Sequence, residues 1–366
     1  MIQMNVFTRE PECLIEKQIE AINRVIRSGS WILGKEVQEF EVEWASWCDS
    51  PYVVGVGNGM DALEIGLRAL GIGDGDEVIT TSMTAFATVL AIIRAGATPV
   101  LADIDSETAI LAIESVARCV GPKTKAVIVV HLYGQAAPLK EYKEFCHSKG
   151  LFLIEDCAQA HGTSINGIKA GTAGIFGAWS FYPTKNLGTI GDAGAISTSD
   201  KDLAKKAGQL RNYGQSERFH HPQIGLNSRL DEIHAAILKV RLTFLKIWIV
   251  RRREIAQRYY TGILNPLVKL LKFPAAPNNH VYHLFVITSA MREQLSEYLK
   301  EKGIETLYHY PVPIHNQNPC KNLKTDPHGL LSAEKHASEC LSLPCNPFLT
   351  NKEIDFVIYS VNKFNS

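Results

Sequence analysis

The sequence predicts an α/β protein, a large domain built on a mostly parallel sheet followed by a smaller C-terminal α+β domain. Three observations carry that expectation. From Tyr52 to about Glu155, short β-branched runs alternate with longer amphipathic ones, the pattern of parallel strands joined by helical crossovers. From Leu230 to about Tyr260 runs one long helical stretch, of a length that commonly bridges two domains. And 366 residues suffice for a full hydrophobic core shared between two units.

Taken in order, Val53-Val54-Gly55-Val56 reads as a strand, Asp61 to Leu70 as a helix, Glu77 to Thr80 as a strand and Ala85 to Ala95 as a helix. Gly71-Ile72-Gly73-Asp74-Gly75-Asp76 is turn chemistry, its glycines supplying backbone angles that other residues avoid. Strands follow at Thr98 to Asp103, Ala126 to Val130 and Leu151 to Glu155, then at Ile175 to Phe181 and Gly194 to Thr198, and Asp200 to Arg211 returns to helix. In the long stretch, Ile233, Ile237, Val240, Phe244 and Ile247 recur at helical spacing. Pro266, Pro274 and Pro277 then mark an irregular start to the smaller unit. The division expected is 1–249 for the N-terminal segment and large domain, and 250–366 for the small C-terminal domain.

Composition narrows the function classes. The 38 basic and 38 acidic residues balance, so no global field draws the chain to nucleic acid or an anionic membrane, and an anionic ligand has to be held locally. Met1 to Glu12 lacks the pattern of a secretory signal, and no run approaches the roughly 20 apolar residues of a membrane span, which points to the cytoplasm. The eight cysteines are scattered without a Cys-x-x-Cys and are expected to be free thiols. The twelve histidines show no metal-ligand spacing, so no metal is expected. Trp44, Trp47 and Tyr259-Tyr260 read as packing residues, and Arg251-Arg252-Arg253 as a solvated helix face.

Three segments have chemical interest. In Gly55-Val56-Gly57-Asn58-Gly59-Met60-Asp61 a strand runs through glycines into a helix, whose free N-terminal amides and dipole suit a phosphate; a tight turn without ligand fits equally. The third glycine falls one position early for the dinucleotide fingerprint. In Ile154-Glu155-Asp156-Cys157-Ala158-Gln159 a buried strand delivers an acid at its carboxyl end, where Asp156 is either a helix cap or the partner of a heteroaromatic nitrogen. Lys185 lies in the apolar, glycine-rich Ser180-Phe181-Tyr182-Pro183-Thr184-Lys185-Asn186-Leu187-Gly188, as a solvated loop lysine or an amine of lowered pKa suited to a Schiff base. Together they supply the three handles pyridoxal phosphate requires: phosphate anchor, ring-nitrogen partner and amine.

These motifs, with Ser30-Trp31-Ile32-Leu33-Gly34, Asn227-Ser228-Arg229-Leu230-Asp231-Glu232 and His309-Tyr310-Pro311, resemble the DegT/DnrJ/EryC1/StrS family of sugar aminotransferases over most of the chain. The resemblance implies an aspartate aminotransferase-like fold type I, with pyridoxal 5′-phosphate, or pyridoxamine 5′-phosphate during turnover, in the large domain. It makes Lys185 the Schiff-base lysine and Asp156 the ring-nitrogen partner, with Gln159 on the ring hydroxyl and Phe86 stacked on the ring. Gly59, Met60 and Ser180 would hold the phosphate, and Asn227 would reach it from the neighbouring subunit of a homodimer. Gly57-Asn58-Gly59-Met60-Asp61-Ala62-Leu63 and His131-Leu132-Tyr133-Gly134-Gln135 are similar to the subgroup acting on dTDP-linked 3-keto-6-deoxyhexoses, with L-glutamate as donor. Tyr182, Arg218, His309 and Tyr310 would then surround the sugar nucleotide, whose product serves glycan (such as lipopolysaccharide O-antigen) or metabolite biosynthesis. The alternatives are the same chemistry on a UDP-linked 3-keto or a 4-keto sugar nucleotide, and a non-catalytic cofactor-binding protein.

Overall fold

The structure, a computed structural model, describes residues 1–365. Two N-terminal helices, α1 (Glu12–Ser28) and α2 (Lys35–Cys48), precede β1 (Tyr52–Val56), α3 (Gly59–Ala69), β2 (Glu77–Thr81), α4 (Phe86–Arg94), β3 (Thr98–Ala102), α5 (Ile113–Cys119), β4 (Thr124–Val130), α6 (Leu139–Lys149) and β5 (Phe152–Asp156). A small hairpin, β6 (Ser164–Ile165) and β7 (Ile168–Lys169), leads to β8 (Phe176–Ser180), β9 (Gly194–Thr198), α7 (Lys201–Leu210) and the long α8 (Glu232–Gly262). The chain ends with β10 (Lys269–Leu270), β11 (Phe285–Thr288), α9 (Arg292–Glu301), β12 (Lys324–Thr325), α10 (Leu331–Glu339), β13 (Cys340–Leu343) and α11 (Asn351–Lys363).

The main sheet runs β1-β9-β8-β5-β4-β2-β3-β12. Only β9 is antiparallel to its neighbours, so β1, β8 and β5 deliver their carboxyl ends to one rim. Alternation along each strand feeds two layers. Val54, Val56, Ile154, Phe176 and Ala178 pack against α3, α4 and α7, whereas Val53, Leu153 and Trp179 face the opposite side. The first layer is tight: a Cβ on Gly66 of α3 would meet the Phe176 ring at 2.2 Å. A methyl there is an overpacking change of about 1–3 kcal/mol.

The smaller sheet, β10-β11-β13, is antiparallel and packs with α9, α11 and the end of α8. It also recruits the chain's start, since Ile2 bridges to Ile304 and lies in the same apolar cluster. Conversely, β12 pairs with β3 at the edge of the main sheet, so the C-terminal part is not confined to its own sheet. Asp103, just after β3, anchors that return by accepting the Ser332 and Ala333 amides of α10 at 3.0 and 2.8 Å.

Two sequence expectations change in α8. Ile237 of the proposed stripe is buried but Ile247 is 64% exposed, and the inward row is Leu238, Leu242, Leu245 and Ile249. The helix carries apolar side chains on more than one face because it meets α1, α2 and α11, which blurs its periodicity. Nor is Arg251-Arg252-Arg253 a solvated face, for Arg252 is buried beneath the smaller sheet.

Candidate active site

The rim formed by β1, β8 and β5 gathers three of the chemical segments. After β1, Asn58 caps α3 by accepting the Asp61 amide at 2.8 Å. The Gly59 and Met60 amides have no partner among the described residues, as expected of a first helical turn. They lie against the end of β8: a Cβ on Gly59 would meet Ser180 Cβ at 2.7 Å. Gly194 of β9, between Val56 and Ser180, permits this closeness, since a Cβ there would meet the Asn58 carbonyl oxygen at 2.4 Å. Two free amides, a hydroxyl and a helix N-terminus thus converge where a phosphate fits.

At the end of β5 the alternation of side chains separates two acids. Glu155 turns away from the site and accepts the amides of Gly171, Ala173 and Gly174, each at 2.8 Å. Its remaining partner is His131, whose Nδ1 accepts the Ala137 amide, so Nε2–H donates to Glu155 at 3.0 Å. Their donor atoms and the Cys157 thiol lie within 4.8 Å of one another, but His131 and Glu155 are occupied with each other and with backbone amides. Asp156 faces the site. It is 6% exposed and accepts the Thr88 hydroxyl at 2.8 Å and the Ala158 amide at 3.1 Å. Thr88 comes from α4, the helix that also presents Phe86, half-buried over the core.

Lys185 sits on a compact loop closed by hydrogen bonds from the Lys185 amide to the Tyr182 carbonyl and from the Thr189 amide to the Phe181 carbonyl. Gly188 makes the loop feasible, because a Cβ would meet the Pro183 carbonyl oxygen at 2.5 Å. Burial pulls the Lys185 ammonium down to about 8, while Asp156 pulls it upward. Burial and the charge of Lys185 in turn hold His161 at about 3 and His309 at about 4, so both rings are neutral near neutral pH. His161 is fully enclosed among Trp44, Trp179 and Phe181.

A closed ring of hydrogen bonds joins the turn of Gln159 to the segment of His309 and Tyr310. The buried Tyr133 hydroxyl donates to the His309 carbonyl and therefore accepts from His336 Nε2–H at 2.9 Å. The Tyr133 amide donates to Gln159 Oε1 at 2.5 Å, and Gln159 Nε2 donates to the Tyr310 hydroxyl at 3.2 Å. Burial, then the charge of Asp156, pushes the Tyr310 phenol up to about 12. His309 is fixed from its other side by Ser342, 2.8 Å from Nδ1.

Gly59, Met60, Ser180, Asp156, Gln159, Lys185, His309 and Tyr310 thus fall on one connected group of segments. Three predicted residues stand apart. Tyr182 is 49% exposed at the loop's edge, Asn227 is exposed beside its bridge to Asn212, and Arg218 lies over the ring of exposed Phe219. Arg218 rides a loop pinched at its base by two facing glycines: a Cβ on Gly214 would meet the Gln223 carbonyl oxygen at 1.8 Å, and one on Gly225 the Gly214 nitrogen at 2.0 Å. Thr88, His161, His283 and Arg252 were absent from the sequence-derived set, and Tyr133 entered it only inside a subgroup motif. Their relevance comes from contacts between segments distant in the chain.

A lysine of lowered pKa, a buried carboxylate near it and a helix N-terminus with free amides on an α/β rim suit a pyridoxal phosphate enzyme of the fold type I class. Residues 12–362 match the DegT/DnrJ/EryC1/StrS aminotransferase family, and the chain belongs to it. It is 43% identical over 352 residues, 95% of this chain and 96% of the relative, to the dTDP-3-amino-3,6-dideoxy-alpha-D-galactopyranose transaminase of Aneurinibacillus thermoaerophilus. It is 41% identical over 345 residues, 94% of this chain and 91% of the relative, to the dTDP-3-amino-3,4,6-trideoxy-alpha-D-glucose transaminase of Streptomyces venezuelae. Among solved structures, S. venezuelae DesV in complex with a ketimine intermediate superposes with a TM-score of 0.93 at 41% identity, covering 96% of this chain and 95% of DesV.

Proposed function

We propose that this protein is a pyridoxal phosphate-dependent aminotransferase that moves the amino group of L-glutamate to C3 of a dTDP-linked 3-keto-6-deoxyhexose. The observation that carries this reading is the lowered pKa of Lys185 beside Asp156, on the rim that also holds the free Gly59 and Met60 amides. When bound, pyridoxal phosphate supplies an electron sink to the carbon that loses its proton. Gly59, Met60 and Ser180 would hold the phosphate, joined by Asn227 from the neighbouring subunit. Asp156, steadied by Thr88 and the Ala158 amide, holds a proton at the ring nitrogen. Gln159, with its oxygen engaged by Tyr133 and one N–H by Tyr310, has a second N–H for the ring hydroxyl. Phe86, at the start of α4, would cover the ring face. Lys185, its ammonium lowered by burial to about 8, would carry the proton from the donor's carbon to the cofactor carbon that bears the transferred nitrogen, and in the opposite direction for the keto sugar.

Tyr182, Arg218, His309 and Tyr310 surround the sugar nucleotide, Arg218 being suited to the diphosphate. Support for the acceptor comes from the likeness to two transaminases named for dTDP-3-amino sugars. A homodimer is supported by the exposed apolar side chains Trp31, Ile190, Phe219 and Ile224. Eight free cysteines, and the lack of any helix long and apolar enough to cross a membrane among the described residues, support a place in the cytoplasm. The test is to incubate the purified enzyme with glutamate and, separately, dTDP-3-keto, UDP-3-keto and dTDP-4-keto sugars, and to weigh the products. The expected product is a dTDP-3-amino-3,6-dideoxyhexose; amination of only another sugar in the panel defeats the reading.

A further inference from the structure

Arg252 is 6% exposed on α8, and no carboxylate pairs with it among the described residues. Its Nη1 donates to the carbonyl oxygens of Tyr282, His283 and Cys345 at 3.2, 3.4 and 2.7 Å, and its Nε has no partner. His283, 8% exposed, likewise has a partnerless Nδ1. Both line one cavity of about 110 Å³, whose wall also carries Thr184 and His309, the chain neighbours of Lys185 and Tyr310. Thr184 and Arg252 are shared with a second, smaller cavity that Lys185 itself lines.

A buried guanidinium bonded only to neutral carbonyls retains its full charge, and its Nε–Nη2 edge is the fork that a carboxylate engages through two bonds. The remaining walls are mixed: Met4, Leu284, Leu307 and Leu343 are apolar, whereas Asn5 is polar and Cys345 carries a thiol. One charged end, a wall of mixed character and this volume suit a short-chain amino acid with an acidic terminus, and leave no room for a sugar nucleotide. We propose that Arg252, assisted by His283, is the carboxylate-binding residue for the amino donor. The proposal rests on the aminotransferase reading and fixes which residues in it serve the donor alone.

Half-reactions test it. Loss of the bound cofactor's visible absorbance on adding glutamate measures the donor step without sugar; amination of keto sugar nucleotide by enzyme preloaded with pyridoxamine phosphate measures the acceptor step without donor. For Arg252→Lys, which keeps the charge and loses the fork, the glutamate concentration at half-saturation rises roughly tenfold or more, while the acceptor step stays within about twofold. Glutarate, which has both carboxylates and no amine, raises the unfolding temperature of the wild-type holoenzyme and leaves that of Arg252→Lys unmoved. His283→Gln, which retains a hydrogen-bonding group, gives a smaller rise in half-saturation. The proposal is overturned by unchanged glutamate saturation in Arg252→Lys or by equal glutarate protection of both proteins. It is overturned too by a parallel fall of both half-reactions with thermal stability, which would make Arg252 a staple between α8 and the smaller sheet. Wild-type enzyme that responds to glutamate yet aminates no dTDP sugar defeats the acceptor reading alone.

Discussion

At the scale of single residues, the site depends on opposing influences at one amine. Burial lowers Lys185 and Asp156 raises it, so removing the carboxylate leaves burial unopposed and the amine titrates further below about 8. In Asp156→Asn, the pH at which cofactor loading reaches half its plateau rate should move down; stopped-flow absorbance across pH 6–10 reads it, and an upward shift contradicts the arrangement. Lys185→Ala should reduce turnover by roughly 10²–10⁴-fold or more, because the proton-moving group is gone. Lys185 and Asp156 were legible in the sequence because each sits in a short segment whose composition is informative: a lysine among glycines and apolar residues, an acid ending a β-branched run. Thr88 was not, since nothing in its own segment says that its hydroxyl reaches across the rim to Asp156. Arg252 was misread for a related reason, as three consecutive arginines look solvated until the smaller sheet covers the middle one.

At the scale of elements, the decisive piece is the turn after β4. Tyr133 has a positive φ of 62°, a conformation uncommon outside glycine, and from it ties the Gln159 turn to the segment of His309 and Tyr310. Tyr133→Phe leaves the His336 N–H and the His309 carbonyl without a partner, at about 1–3 kcal/mol by denaturant unfolding. Because the loosened segment carries His309 and Tyr310, proposed above to face the sugar, the KM for the keto sugar should rise while the donor step keeps its rate; the reverse pattern would contradict the ring's role. Strands and helices of the large domain were readable from periodicity, since each buries one well-defined face. α8 was readable as a helix but not in its orientation, because it packs against several partners at once. The return of β12 to the main sheet was beyond reach, two exposed residues being too short to show a pattern.

At the scale of the whole molecule, exposed apolar side chains are the remaining unsatisfied feature. Phe219 and Ile224 are 79% and 88% exposed on the loop that carries Arg218, and Trp31 and Ile190 are exposed as well. Light scattering should give twice the 40.5 kDa chain mass. Replacing Phe219 and Ile224 together with aspartate should shift the mass toward one chain and lower cofactor affinity, because Asn227 follows on the same stretch. A stable, fully active single chain would contradict the proposed sharing of the site between subunits. How this loop is held is not legible from its own segment, because the contact between the Gly214 and Gly225 backbones exists only in the fold. That contact has a practical side. Everything between the two glycines hangs from a clasp made of backbone alone, so libraries randomised there while the clasp is kept vary the surface around Arg218 and leave the segments of Lys185 and Asp156 untouched.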